Sequence, residues 1–507
     1  MNPGKNIILL FLGVTALFLN ACTQSNNEKL YKRLVNLESE FWFQRSTSQV
    51  LLNRIAGQET QIVWSTNFHT AAPVPIGSAG PKKYTQKLQG IVHNDSLGRV
   101  LKEAAKENIN IILVIGDGMG NMHMALPVYK RYAEKNNAPT LFEKIMKEGT
   151  CGYLYTCTSR GLVTGSAASG TAIACGQKTM MNMVGVAPDG HKLESVLAVA
   201  KKSGYKTALV TNAGLTDPTP AVFYAHSYNR NLEDLIAKQL LNSNLVDVAL
   251  GGGGNRFLPQ NCKLSDFIVS EKNNDFTSER QDSVNLIREF QQKGFQLCFS
   301  LKEMQSAPGN KPLIGLFSGG GMPPVIDRDE STANIPTVKE MAQKALEIVS
   351  TGNKPYFTMI ECARIDWEAH DNDVGAVYQA VEGMNRVLET AYGFYKKNPQ
   401  KTLLVFTADH ETGGLEIAYR KMPKKQQEKK KLSTGETWTN DTNPLAFNDY
   451  IRILDRQKKA VSTILMLSYS AKDFQQNFKK YMGIKLSDKD AKLMYYSRNN
   501  YKRYKDE

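Results

Sequence analysis

The chain has 507 residues, 41% of them hydrophobic, a formal charge of +14 and mean hydropathy of −0.37. That is enough apolar material for a large core, and neither a fibrous repeat nor a disordered composition is present. Much of the excess charge sits in Lys421, Lys424, Lys425, Lys429, Lys430 and Lys431 and in the last dozen residues. A run of this kind is a solvated face rather than a nucleic-acid reader. With no nucleic-acid-binding motif in the chain, no nucleic-acid partner is expected, and the positive exterior instead favours anionic small molecules.

In chain order, Lys5 precedes an apolar stretch from Ile7 to Leu19 that ends at Leu19-Asn20-Ala21-Cys22. The stretch is too short for a confident membrane span and resembles a bacterial lipoprotein signal over residues 1–22. Cys22 would then carry a lipid anchor, and the protein would be exported and held in the cell envelope, at the periplasm or outer membrane. Residues 23–59 read as a polar tether followed by helical spacing of Leu30, Leu34, Leu37 and Phe41. The six further cysteines have no zinc-finger spacing; in an exported protein Cys262 with Cys298 is the preferred disulfide pair.

Gln61 to Ser65 reads as a strand, followed by Asn67-Phe68-His69-Thr70 and a proline-rich loop, and Ser96 to Lys106 as a helix. The apolar run Asn110-Ile111-Ile112-Leu113-Val114-Ile115 then delivers Asp117 onto a Gly116-Asp117-Gly118 turn. Short β-branched runs recur around Leu154, Thr207–Thr211, Val246–Leu250, Leu313–Phe317, Tyr356–Ile360 and Leu403–Thr407, with helical patterns between them. This alternation predicts an α/β fold, doubly wound, with a mainly parallel central sheet and helices on both faces. In such sheets the sites form at the carboxyl ends of strands. The lysine-rich residues 420–443 read as an exposed insertion, the start of a basic extension over 420–507.

Chemistry gathers at four such strand ends. Asp117 is the first. The second is Thr164-Gly165-Ser166-Ala167-Ala168-Ser169-Gly170, which places the Ser166 hydroxyl at a helix start, where free N–H groups and the dipole suit a phosphate. The third, Glu361-Cys362-Ala363-Arg364-Ile365-Asp366-Trp367-Glu368-Ala369-His370, sets Asp366 and His370 at i and i+4 on one helical face, able to grip one metal ion, with Glu361 arriving from the strand end. The fourth is Asp409-His410 after Leu403–Ala408.

The order and surroundings of these stretches resemble the alkaline phosphatase family, and the resemblance extends to Asp217-Pro218-Thr219-Pro220 and on to Arg230. It implies hydrolysis of phosphate monoesters with two zinc ions and one magnesium ion, inorganic phosphate being the product. Asp409 and His410 would hold one zinc, with Asp117 bridging to magnesium and Ser166 as nucleophile. Thr219 and Glu361 would complete the magnesium shell, Arg230 would clamp phosphate, and Asp366 and His370 would hold the other zinc. A homodimer is compatible with the resemblance.

That second zinc lacks its third ligand, and no histidine follows His410. The segment around His69 resembles the family's usual downstream one, and Gly80-Pro81, Gly90-Ile91-Val92-His93-Asn94-Asp95 and the helix after it resemble the family's carboxyl-terminal end. A circular permutation is therefore expected: residues 60–106 form the transplanted terminal segment, residues 107–419 the main domain, and His69 supplies the missing ligand. Two departures stand out. Gly165 precedes the nucleophile where the family commonly has aspartate, so looser arginine positioning and faster phosphate release are expected. Trp367 stands at a variable position that bears on magnesium dependence, with Asp217 available nearby as a supporting carboxylate. The competing readings are a phosphodiesterase or sulfatase of the same superfamily, and a non-catalytic lipoprotein that binds metal or phosphate.

Overall fold

The structure is a computed structural model that describes residues 61–268 and 275–495, apart from Pro423, Pro444 and Leu493. The lipoprotein signal, Cys22 and the Leu30–Ile55 helical spacing lie outside the described residues. The strands are β1 (Ile62–Trp64), β2 (His69–Thr70), β3 (Val74–Ala79), β4 (Gly90–His93), β5 (Asn110–Gly116), β6 (Thr150–Tyr155), β7 (Lys206–Gly214), β8 (Val248–Gly252), β9 (Gln296–Cys298), β10 (Leu313–Leu316), β11 (Tyr356–Cys362), β12 (Thr402–Thr407), β13 (Glu411–Thr412) and β14 (Leu415–Ile417). Ten of them form one sheet in the order β4-β6-β3-β12-β5-β11-β7-β8-β10-β9.

The sheet is parallel except at β3, which runs antiparallel to both β12 and β6. β5 sits near the middle, and Ile111 to Ile115 are fully buried on both faces. That two-sided burial explains why the strand reads as a continuous apolar run instead of an alternating one. The helices Asn94–Lys106, Leu141–Glu148, Ser166–Cys175, Val196–Lys202, Val338–Val349 and Val374–Lys397 supply the cover. The helix predicted from Ser96 begins at Asn94, and the stretch read as a proline-rich loop runs into the fully buried strand β3, where Pro75 is tolerated within the sheet.

Register places the functional strand ends level with one another. Ile115 of β5 lies opposite both Glu361 of β11 and Thr407 of β12, and Glu361 lies opposite Thr211 of β7. Asp117 and Asp409 each follow that row by two residues, so parallel pairing alone delivers both carboxylates to the same edge.

Two features differ from the sequence reading. The preferred Cys262–Cys298 disulfide is absent: both are free thiols, as are the other four described cysteines. Cys298 is buried in β9 with its Sγ directed at the Ile314 carbonyl, 3.6 Å away, so its side chain is committed inward to the sheet. The basic extension also has more structure than a loop. Residues Glu428–Lys431 pair with Thr437–Asn440 in an exposed hairpin. Helices Phe447–Arg456, Val461–Met466 and Ala471–Met482 follow, and the last two enclose a small separate core of Val461, Ile464, Phe474, Phe478, Ile484, Leu486, Ala491 and Met494.

Candidate metal and phosphate site

Asp117 leaves β5 on a turn that requires glycine at position 118. Gly118 has φ +70, and a Cβ there would stand 2.7 Å from Asp366 Oδ1, so the two backbones approach closely only because the side chain is missing. Asp366 and His370 come from the short helix Arg364–His370, which begins directly after β11. Their i,i+4 spacing sets His370 Nε2 3.3 Å from Asp366 Oδ2. Ser166 opens the helix Ser166–Cys175, and its Oγ lies 3.3 Å from His410 Nε2.

His69 arrives from the amino-terminal side on β2, which pairs antiparallel with β13 directly after His410. Its Nε2 lies 3.2 Å from His370 Nε2 and 3.7 Å from Asp366 Oδ1, and its ring stacks on His410 with centroids 3.6 Å apart. The structure therefore brings together Asp117, Ser166, Asp366, His370, Asp409, His410 and His69, which come from five separated stretches.

Hydrogen bonds settle the tautomers. His69 Nδ1 lies 2.8 Å from the Thr164 carbonyl and His370 Nδ1 2.6 Å from the Asn67 carbonyl; a carbonyl only accepts, so both Nδ1 atoms carry the proton. Thr412 Oγ1 donates to Asp366 Oδ1, which leaves its lone pair to accept from His410 Nδ1 at 3.2 Å. All three imidazoles consequently turn unprotonated Nε2 lone pairs inward. Two lone pairs cannot hydrogen-bond each other, yet His69 and His370 hold theirs 3.2 Å apart. Two nitrogens bound at about 2.0–2.1 Å to one tetrahedral zinc lie about 3.3–3.4 Å apart, so a cation between them resolves the contact.

The carboxylates tell the same story. His410 Nε2 is 3.4 Å from both Asp117 Oδ1 and Asp409 Oδ2, and both of those oxygens are buried without a hydrogen-bond partner. The ligand atoms of Asp117, Asp409 and His410 all lie within 4.8 Å of one another, as do those of His69, Asp366 and His410. Burial, then repulsion from Asp409, Asp366 and Glu361, pushes the Asp117 carboxyl well above its usual range. Burial also raises Asp409, and raises Glu361 to about 8. Burial by itself would raise Asp366 as well, but His370, His69 and His410 outweigh it and hold that carboxyl well below the usual range. Burial, reinforced by His410, lowers His69 to about 3, and burial lowers His410 to about 4. Several buried carboxylates in one cluster with neutral imidazoles form a donor set that fits divalent cations.

Glu361 faces a neighbouring pocket, where the Thr211 hydroxyl donates to its Oε2 and Thr219 also bonds it. Thr219 belongs to the short turn of helix Pro218–Ala221 and is buried. Arg230 is half-buried, with its backbone N–H on the Asn182 carbonyl at 2.9 Å. Its guanidinium is the main charge opposing the burial that raises Asp217 to about 6. Asp217 is thus a buried carboxylate within electrostatic reach of Arg230, with its Oδ2 accepting the Gly214 N–H at 2.7 Å.

Sequence reasoning missed Thr412, Thr211 and the Glu411–Thr70–His123 group. Glu411 accepts from Thr70 Oγ1, and fully buried His123 accepts the Gly120 N–H at 2.9 Å, bracing the turn that carries Asp117. Thr412 and Glu411 could have been suspected as immediate followers of Asp409-His410. His123 carries no local signal, because it reads as one more residue of a helix.

A sequence profile described as alkaline phosphatase matches residues 108–501. Alkaline phosphatase 4 of Bacillus subtilis (strain 168) is 33% identical over 341 residues, covering 65% of this chain and 68% of that protein. Alkaline phosphatase 3 of the same organism is 31% identical over 352 residues, covering 68% and 70%. The crystal structure of Thermus thermophilus alkaline phosphatase superposes with a TM-score of 0.59 at 26% identity, covering 76% of this chain and 75% of that one. With profile, relatives and fold in agreement, and with a strand-end cluster whose donors could hold a metal ion, the chain belongs to the alkaline phosphatase family, the phosphatase-type hydrolases of phosphate monoesters.

Proposed function

We propose that this protein hydrolyses phosphate monoesters through a phosphoserine on Ser166, with two zinc ions and one magnesium ion as cofactors. One zinc would be held by Asp409 and His410, the other by Asp366, His370 and His69. Asp117 would join the first zinc to magnesium, whose protein ligands would include Thr219 and Glu361. The observation that carries this reading is the placement of Ser166 Oγ, buried at a helix N-terminus and 3.3 Å from a His410 Nε2 that also faces Asp117 and Asp409.

Bound zinc would supply Lewis acidity, lowering the pKa of a hydroxyl and offsetting charge on phosphoryl oxygens. The chain's own groups do the rest. The helix start Ser166–Cys175 offers backbone N–H groups and its positive dipole end to the phosphoryl group, and the Arg230 guanidinium binds phosphoryl oxygens in its planar fork. The Oγ–P bond forms as the ester P–O bond breaks, the alcohol leaving with the proton that Ser166 gives up; a water molecule then cleaves Oγ–P, its oxygen going to inorganic phosphate and a proton restoring the Ser166 hydroxyl. The Nδ1 bonds to Thr164, Asn67 and Thr412 keep all three imidazoles in the ligating tautomer. The test compares aryl phosphate, bis-aryl phosphate and aryl sulfate as substrates, with metals added back singly after chelation. Preference for the monoester and an inert Ser166→Ala variant support the reading. Preference for the diester or sulfate, or an inert wild type, would replace it with one of the competing readings.

We also infer that the chain is circularly permuted. β1 pairs with β14 and β2 with β13, so residues 62–70 dock on the end of the main domain. Ala418 N–H donates to the Gln61 carbonyl at 3.0 Å, so a chain running from 418 into 61 would close an ordinary antiparallel hairpin. In this chain residue 418 does not run into 61; the helix Asn94–Lys106, the last element of the transplanted segment, instead leads almost directly into β5. In the same reading the protein is exported and anchored by a lipid on Cys22; among the described residues no helix is long and apolar enough to cross a membrane. Loss of membrane association in a Cys22→Ser protein checks the anchor.

A further inference from the structure

Glycine at position 165 leaves room beside the nucleophile, and an apolar group borders that room. A Cβ at Gly165 would meet Met181 Cε at 3.4 Å and the His69 ring, at Cε1 and Nδ1, at 3.6 Å. The Met181 methyl and the imidazole of the His69–His370–Asp366 group therefore both border the residue preceding Ser166. Met181 is nonetheless 48% exposed, so its side chain reaches from the site to solvent.

Met181 has company. Arg230 N–H donates to the Asn182 carbonyl at 2.9 Å, and Val184 and Ser227 exchange backbone bonds, each 2.8 Å long. These ties hold the Met181 turn against the loop that carries Arg230 and its neighbour Tyr228. Ser159 N–H donates to the Thr179 carbonyl at 2.9 Å, tying the same turn to the loop that runs through Leu162 and Val163 to Ser166. Leu162 is 78% exposed, Val163 44% and Tyr228 71%. Single exposed apolar residues are ordinary, but four on three loops that meet around one nucleophile and one arginine form a rim.

We infer that Leu162, Val163, Met181 and Tyr228 form an apolar rim that receives the leaving group, making phosphate monoesters of apolar alcohols the favoured substrates. The inference rests on the phosphomonoesterase reading above. The physical reason is a division of labour: the buried charged cluster takes the phosphoryl group, and the organic group, pointing outward, sheds water against the rim. Where the family commonly has a carboxylate, Gly165 and the Met181 methyl present an uncharged wall, which removes repulsion toward anionic esters as well.

The experiment measures kcat/KM for the n-alkyl phosphates from methyl to hexyl. Their leaving alkoxides are nearly equal in basicity, so chain length reports contact rather than chemistry. Full burial of a methylene is worth up to about fourfold; a half-open rim should give about twofold per methylene, roughly 30-fold from methyl to hexyl. Met181→Gln and Tyr228→Ser should each lower the hexyl-to-methyl ratio at least about threefold. Binding of n-alkyl phosphonates, which are not hydrolysed, should tighten with chain length in parallel. A flat series in both measurements overturns the rim, as does a slope that both variants leave intact. Absence of any hydrolysis with a persisting phosphonate slope would instead sink the hydrolytic reading and leave the rim standing.

Discussion

His69 Nε2 and His370 Nε2 stand 3.2 Å apart although 301 residues separate them, and each ring has its Nδ1 proton held by a backbone carbonyl. A cation between the two lone pairs would relieve their repulsion, and the carboxylates around them suit one. His69→Ala should therefore lose one metal equivalent and at least ~100-fold in activity, since even residues that merely orient ligands are worth 10–100-fold. Elemental analysis alongside kcat decides it; unchanged zinc with unchanged activity would show that His69 is a bystander and remove the main functional support for the permutation.

Removing the metals should change how stability depends on pH. Glu361, raised to about 8, and Asp117, raised well above its usual range, keep their protons in the metal-free folded state at pH values where the unfolded chain has lost them. The stability tied to such groups is complete below the unfolded value and is lost as pH rises through the folded one. His69 and His410 act oppositely, their contribution being present above about 6.5 and lost as pH falls toward 4 and 3. Between pH 6.5 and 8 only the carboxylates act, so chelated protein should lose thermal stability as pH rises, with its maximum below pH 7. Melting curves of chelated protein across this range check the sign, and a rise in Tm from pH 6.5 to 8 would contradict it.

Gly118→Ala should be costly for its size. The added carbon would sit 2.7 Å from Asp366 Oδ1 and 2.8 Å from Asp366 Cα, in a left-handed backbone conformation. A strained position of this kind costs about 1–3 kcal/mol. Because the clash is with a proposed ligand, metal affinity should fall along with Tm. A variant with normal metal content and activity would show that the turn relaxes without moving Asp366.

The carboxyl-terminal helices offer the contrasting case. Phe474 is fully buried in the small core of residues 461–494, which is separate from the core beneath the site. Phe474→Ala should cost about 3–5 kcal/mol, enough to unfold that unit locally. Hydrogen exchange should rise in residues 461–494 while aryl phosphate hydrolysis stays within a factor of two. A parallel loss of activity would show that the extension supports the catalytic domain.

The central strands β5, β7, β8, β10, β11 and β12 were legible because each is buried on both faces, and the run into Asp117 is the clearest of them; β3, with Pro75 in it, read as a loop, and the edge strands β4 and β9 carried no clear run. The residues Asp117, Ser166, Asp366, His370, Asp409 and His410 stood out because each begins or closely follows an element whose end was visible. The small core around Phe474 was hidden by lysine-rich composition, since its apolar residues are few and widely spaced. The cysteine pairing was misread because redox context says which cysteines could pair, while only packing decides where Cys298 points.

Taken alone, the sequence determined the α/β class, the strand ends that bear carboxylates, and the local i,i+4 geometry of Asp366 and His370, all of which follow from short-range periodicity. Tertiary structure alone decided the rest. Parallel register set Asp117 level with Asp409, and pairing of β2 with β13 carried His69 across the chain to His370. Thr164, Asn67 and Thr412 selected the imidazole tautomers, and the Met181 methyl and the His69 ring came to border Gly165. These are contacts between residues far apart in sequence, and they exist only once burial of the sheet has brought the strand ends to one edge.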